Sequence, residues 1–111
     1  MRSVNPSHSP RTHRAVTLAL AMSLTALLGC GNTLYAVRAN SASGKLEEAR
    51  ELGAEMYAPY EYFYAQEHLH KAQTEAAEAD YGDAVDLAEA SAEYAERAIR
   101  LTREARRGAG R

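Results

Sequence analysis

The chain has 111 residues, a formal net charge of −2, a single cysteine and no tryptophan. This length accommodates one small domain, and one cysteine alone cannot form an internal disulfide or a thiolate metal site. The slightly acidic balance argues against nucleic acid as the main partner.

The N-terminal segment has the pattern of an export signal. Residues 1–14 contain Arg2, Arg11 and Arg14 and no acidic residue, and the 14 residues from Ala15 to Leu28 are mostly apolar. A basic start followed by a short apolar stretch is typical of a secretory signal peptide. The stretch is short for a transmembrane span, which needs about 20 apolar residues. The alternatives are a buried helix and an uncleaved anchor.

The end of this stretch, Leu27-Leu28-Gly29-Cys30, resembles the bacterial lipoprotein signal. The resemblance implies a diacylglyceryl group on the Cys30 sulfur and cleavage between Gly29 and Cys30, so that residues 1–29 are removed. Two or more acyl chains hold a protein stably on a membrane, whereas one chain does so only marginally. Gly31, where an aspartate would signal inner-membrane retention, implies the outer membrane. The remaining 82 residues carry 10 basic and 15 acidic side chains, a net charge of about −5.

From Cys30 onward the sequence predicts an all-α fold. Alanine makes up 19 of these 82 residues, and Pro59 is their only proline; alanine has the highest intrinsic helix propensity. Small and apolar residues recur at steps of three and four, which places them on one face of a helix. Three such faces occur, and each is called a seam: Tyr35, Ala39, Ala42, Leu46, Ala49, Gly53 and Met56; Tyr62, Ala65, Leu69, Ala72, Ala76 and Ala79; and Ala84, Ala88, Ser91, Ala95, Ala98, Thr102 and Ala105. We therefore expect a helical hairpin or a three-helix bundle.

Local signals separate the three helices. Proline disfavours helix at the preceding Ala58 and suits the first turn of a new helix at Pro59. Asp80 is suited to cap the third helix, with Asp83 favourably placed in its first turn. We expect a lipidated tether at residues 30–33, a helical domain at 34–107 and a disordered tail at 108–111. The expected helices cover about 34–57, 59–79 and 81–107.

The beginning of the first helix has two interpretations. Ser41, Ala42, Ser43 and Gly44 are small and suit a flexible tether. The uninterrupted seam through Ala42 favours helix.

Two resemblances follow from the segment between Tyr62 and Ala98. It contains two predicted helices, each with an alanine-rich seam, joined by the turn Asp80-Tyr81-Gly82-Asp83. This arrangement resembles a tetratricopeptide-type helix pair. Together with the lipoprotein signal, Ala49-Arg50, Gly53-Ala54 and Ala58-Pro59-Tyr60-Glu61-Tyr62, this pattern resembles small bacterial lipoproteins of the domain-of-unknown-function 4398 family, from Ala36 to Arg107. The resemblance implies a helical fold in a Gram-negative envelope, where the domain can accompany a peptidoglycan-binding domain, and it implies no activity.

Two groups of residues are candidates for partner contacts. Residues 56–64 hold five of the eight aromatic side chains, and tyrosine suits protein and carbohydrate surfaces. We expect Tyr57, Tyr60 and Tyr64 to make contacts, and Tyr62 and Phe63 to fill the corner between the first two helices. The second group is a predicted stripe of Arg97, Arg100, Arg103 and Arg107, suited to carboxylates or phosphates. The alternative for this group is a solvated basic helix end.

No reaction is expected from this sequence. His68 and His70 lie two positions apart, about 200° around a helix, so they cannot hold one metal ion together, and no nucleophile, base and orienting group form a recognisable set. We expect no metal and no cofactor beyond the lipid. The predicted role is a periplasmic interaction or scaffolding module for an envelope protein; the alternatives are direct peptidoglycan binding and self-association through the alanine seams.

Overall fold

A computed structural model describes the backbone of residues 10–111 and the side chains of residues 13–19 and 30–111. The described chain forms four helices: α1 (Pro10–Leu52), α2 (Ala54–Tyr57), α3 (Pro59–Ala77) and α4 (Tyr81–Ala109). No strand occurs among residues 10–111. This confirms the all-α prediction.

The chain divides into two compact units, Met1–Cys30 and Gly31–Arg111. Within the first unit, Val16 and Leu18 are about two-thirds exposed, and the Thr17 hydroxyl donates to the His13 carbonyl oxygen at 2.8 Å. No helix in the described residues is both long enough and apolar enough to cross a membrane. Of the predicted signal, Arg2 lies outside the described residues, as do the side chains of Arg11, Leu27 and Leu28.

The second unit contains three long helical segments: α1 from Gly31 onward, α3 and α4. Three ion pairs connect α1 with α4: Arg38 with Glu89 at 3.0 Å, Lys45 with Glu96 at 2.6 Å and Glu48 with Arg103 at 2.7 Å. Residue numbers rise together along both helices, so α1 and α4 run parallel. The three-residue connection to α4 turns the chain back, so α3 runs antiparallel to it.

Small residues fill the space between these helices. Nine alanines of the described residues have no exposed surface: Ala42, Ala49, Ala54, Ala65, Ala72, Ala84, Ala88, Ala95 and Ala98. The larger core residues are Leu46, Tyr62 and Ile99. Ser91 is fully buried, and its hydroxyl donates to the Ala65 carbonyl oxygen on α3 at 2.7 Å. The predicted seams are therefore the buried faces, except for Met56, Ala79 and Ala105, which are exposed.

Two helix boundaries agree with the local signals. Ala58 has an extended φ of −145°, and α3 begins at Pro59, as expected for residues before and at a helix-starting proline. The Asp80 carboxylate accepts a hydrogen bond from the Asp83 backbone N–H at 3.4 Å, which confirms the predicted cap of α4.

Other boundaries differ from the expected ones. The backbone is helical at 30–33, where a tether was expected, and it is helical at 41–44, as the uninterrupted seam through Ala42 favoured. The first helix ends at Leu52 instead of residue 57 because Gly53 takes φ +90°, a left-handed conformation suited to glycine. The second helix ends at Ala77, and Ala79 has φ 64° in the turn. Helix α4 continues to Ala109, into the predicted tail.

The alanine packing predicts a position-dependent cost for added volume. Replacing Ala95, which has no exposed surface, by leucine should overpack the helix interface and lower the free energy of unfolding by about 1–3 kcal/mol. Exposed Ala105 on the same helix offers the matched substitution, which should change stability by less than about 0.5 kcal/mol. Urea unfolding followed by circular dichroism measures both; equal losses would contradict close packing at Ala95.

Candidate functional site

A row of neighbouring rings crosses from α3 to α4. Tyr60, Tyr64 and His68 stand at steps of four on α3, with ring centroids 5.8 Å apart for Tyr60 and Tyr64 and 4.0 Å apart for Tyr64 and His68. Tyr64 also meets Tyr94 of α4 at 4.1 Å. The Arg97 guanidinium carbon lies 4.6 Å from the Tyr94 ring centroid, within cation–π distance.

The α3 part of this row lines an open apolar cleft of about 600 Å³, formed by Pro59, Tyr60, Phe63, Tyr64, Glu67 and His68. We call these six residues the tyrosine face. Tyr60 is 66% exposed and Phe63 is 49% exposed. Exposed aromatic residues grouped in this way are typical of interaction surfaces.

A hydrogen bond orients the His68 ring within the tyrosine face. The Nδ1 atom of His68 lies 3.0 Å from the Tyr64 carbonyl oxygen. A carbonyl oxygen only accepts, so Nδ1 carries the proton, and in the neutral ring Nε2 is an acceptor. The tyrosine face therefore combines apolar ring surfaces with a polar edge at His68 and Glu67.

The structure separates the predicted tyrosines. Tyr60 and Tyr64 share the tyrosine face. Tyr57 lies on α2, and its ring is next to Gly53, because a Cβ atom at Gly53 would stand 3.6 Å from the ring. Tyr62 is buried as expected, and burial together with the Glu55 carboxylate raises the pKa of its hydroxyl. The expectation that Phe63 fills the helix corner was wrong, because its ring lines the exposed cleft.

Sequence reasoning missed the roles of His68 and Tyr94. The spacing of His68 and His70 excluded a shared metal ion but did not indicate the ring contact of His68, although its position four residues after Tyr64 permits stacking on one helix face. Tyr94 stands between Leu87 and Leu101 at steps of seven, and this spacing does not indicate its contact on α3.

The predicted arginine stripe is divided between two sides of α4. Arg97 pairs with Glu93 at 3.2 Å and lies over Tyr94. Arg100, Arg103 and Arg107 instead line a separate cleft of about 330 Å³ together with Glu96 and Ile99. We call this second site the arginine cleft. Arg106, outside the predicted set, donates a hydrogen bond to the Leu52 carbonyl oxygen at 3.2 Å. It thereby supplies a donor to one of the carbonyl groups that have no partner within the helix at the C-terminal end of α1.

Two further features bear on the predicted chemistry. Cys30, the only cysteine of the sequence, is exposed. Glu75, Asp80 and Asp83 each offer a carboxylate oxygen within 4.8 Å of the others. The Asp80 carboxylate already serves as the cap of α4, so the turn explains this grouping.

Comparison with known proteins gives one match. A family model described as "Domain of unknown function (DUF4398)" matches residues 38–109, which is about two-thirds of the chain and extends from α1 to the end of α4. A search of curated proteins and a search of solved structures each gave no match.

The ring contact between α3 and α4 predicts a measurable coupling. In a double-mutant cycle with Tyr64→Leu and Tyr94→Leu, the free energies of unfolding should show a coupling of about 0.5–1.5 kcal/mol, as for other aromatic pairs. Tyr81 lies 13 residues before Tyr94, or about 20 Å along α4. A Tyr64–Tyr81 cycle is therefore the control and should be additive within about 0.5 kcal/mol. Additivity of both cycles would show that the Tyr64–Tyr94 contact is not made in solution.

Proposed function

We propose that this chain, which belongs to the DUF4398 family of domains of unknown function, is a non-enzymatic interaction module of the cell envelope. In this proposal a lipid on Cys30 anchors the chain to the periplasmic face of the outer membrane of a Gram-negative bacterium. The tyrosine face then binds another envelope protein. The observation that carries the proposal is the group of neighbouring aromatic rings on a helical scaffold, of which Tyr60 and Phe63 are exposed and Tyr64 and Tyr94 are partly buried.

The anchor is supported by sequence and by the division of the chain. Leu27 to Cys30 matches the lipoprotein signal, and the larger compact unit begins at Gly31, directly after the proposed lipidation site. Removal of residues 1–29 would leave that unit whole. Cys30 is exposed, as the modification requires.

The scaffold supports a surface for protein contact. We propose that α3 and α4 act as a tetratricopeptide-like hairpin, because they are antiparallel, are joined by the Asp80-Tyr81 turn and pack through small residues such as Ala65 and Ser91. Such pairs normally stack on neighbouring repeats. A single pair leaves the outer face of α3 available to a partner.

Direct binding of peptidoglycan is the second candidate. Flat rings with a polar edge suit the faces of sugars, and Tyr60 and Tyr64 are bordered by Glu67 and His68. Self-association is the third, since a small domain packed through alanine gains stability from further contacts.

The tyrosine face should determine which molecule is captured. A photo-reactive amino acid at position 60 in intact cells should crosslink an envelope protein, whereas the same group at exposed Asp86 on α4 should not. Tyr60 is a large aromatic on the contact surface, so Tyr60→Ala should reduce recovery of the partner about tenfold, which corresponds to about 1.4 kcal/mol. Exposed Tyr57 lies outside the tyrosine face, and Tyr57→Ala is the matched control that should preserve recovery.

Sedimentation with purified peptidoglycan separates the candidates. Under the leading proposal the protein stays in the supernatant. Sedimentation that Tyr60→Ala abolishes and Tyr57→Ala preserves would replace it by the peptidoglycan proposal. Crosslinks from position 60 only to other copies of the chain would favour self-association instead.

A further inference from the structure

The arginine cleft lies on the side of α4 that faces α1. Arg100, Arg103 and Arg107 are spaced at i, i+3 and i+7, so their guanidinium groups follow one face of the helix. We propose that this cleft binds the carboxylates of an acidic segment of the partner protein, and that the incoming carboxylate replaces Glu48 on Arg103. This inference rests on the proposed interaction function and names the chemistry of the partner.

The charges around the cleft are not balanced. Lys45 donates to the Glu96 carboxylate at 2.6 Å, and this hydrogen bond and the lysine charge lower the pKa of Glu96. Among the described residues, the four cations of the cleft region, Lys45 and the three arginines, form close ion pairs with two carboxylates, Glu48 and Glu96. An excess of two positive charges favours a ligand with two or more carboxylates.

Glu48 shows how a carboxylate fits the cleft. Its Oε1 atom accepts a hydrogen bond from Arg103 Nη2 at 2.7 Å, and both side chains are about half exposed. An exposed ion pair of this kind contributes little net stability, so exchange for an external carboxylate costs little. Among the described residues Arg107 and Arg100 have no carboxylate oxygen within 4.0 Å. The Arg100 charge contributes to the lowered pKa of Glu96, but its guanidinium donors are not engaged in a close ion pair and can reach the same ligand.

Helix stability alone does not explain all three arginines. Cations in the last turn of a helix interact favourably with its dipole, an effect that falls off within that turn. Arg107 benefits from this position, but Arg100 lies nine residues before Ala109. Ile99 adds an apolar wall to the cleft, which suits the side chains of a peptide better than a hydrated inorganic ion.

The position of the cleft favours a partner protein over the anchoring membrane. Helices α1 and α4 run parallel, so the arginines lie at the end of the unit opposite Gly31, about 30 Å along α1 from that residue. A lipid on Cys30 would hold the Gly31 end at the membrane. The cleft is then presented away from the lipid headgroups.

Binding to an acidic peptide tests the cleft directly. The full chain in non-ionic detergent is titrated against a fluorescent oligoglutamate peptide at low ionic strength. Arg107→Gln and Arg100→Gln should each weaken binding about threefold to tenfold, because each removes one charged hydrogen-bonding group. Arg111→Gln, which removes the same charge outside the cleft, should weaken it less than twofold.

Substitution of Glu48 should act in the opposite direction. Glu48→Gln frees Arg103 and should strengthen peptide binding about twofold to fivefold. Glu47→Gln is the matched control, because it removes the same charge one residue earlier, where the carboxylate pairs with Arg50. At physiological salt, charges more than about 8 Å apart are largely screened, so the measurement repeated there should show no effect of Glu47→Gln and should retain the effect of Glu48→Gln.

Three results would overturn the inference. These are equal effects of Arg107→Gln and Arg111→Gln, equal effects of Glu48→Gln and Glu47→Gln, and tighter binding of pyrophosphate or of phosphatidylglycerol vesicles than of oligoglutamate. Circular dichroism confirms that each variant is folded. If the oligoglutamate measurements fail while crosslinking from position 60 persists, only the assignment of an acidic segment is wrong. If that crosslinking is lost, the proposed function is wrong.

Discussion

The close approach of α4 to both α1 and α3 determines which side chains meet between the helices of the second unit. Alanines without exposed surface stand at the contacts, and the hydroxyl of buried Ser91 donates a hydrogen bond to the Ala65 carbonyl oxygen. Small side chains allow two helix backbones to lie near each other, so groups on their flanks meet directly. The Tyr64–Tyr94 ring contact and the Glu48–Arg103 ion pair are consequences of that approach. Both candidate surfaces therefore depend on the same packing.

This packing also explains where the large side chains lie. An interface filled by alanine has room for few rings, and among the five aromatic residues between 56 and 64 only Tyr62 is buried. Tyr60 and Phe63 remain largely exposed. Alanine burial removes little apolar area per residue from water, at about 25 cal/mol per Å². A domain of this kind gains stability from a partner that covers its exposed rings, which links its energetics to the proposed function.

The periodic part of the structure was predictable, and the non-periodic part was not. Steps of three and four located the buried faces, and Pro59 and Asp80 marked helix starts through local steric and hydrogen-bonding rules. The break at Gly53 was missed because the seam continues through that glycine without a change of spacing. Contacts between helices, such as Tyr94 on Tyr64, depend on rotation and offset, which one helix's spacing does not define. The arginine stripe was divided for the same reason: Arg97 lies over Tyr94 of its own helix, and Arg103 pairs with Glu48 of α1.

The central claim is that this unit works at a membrane to which Cys30 attaches it. The most direct test is the intact mass of the protein purified from the envelope of cells that express the full chain. The account predicts a chain that lacks residues 1–29 and begins at a Cys30 that carries a diacylglyceryl group on its sulfur. A mass equal to the unprocessed chain, with Cys30 unmodified, would contradict it.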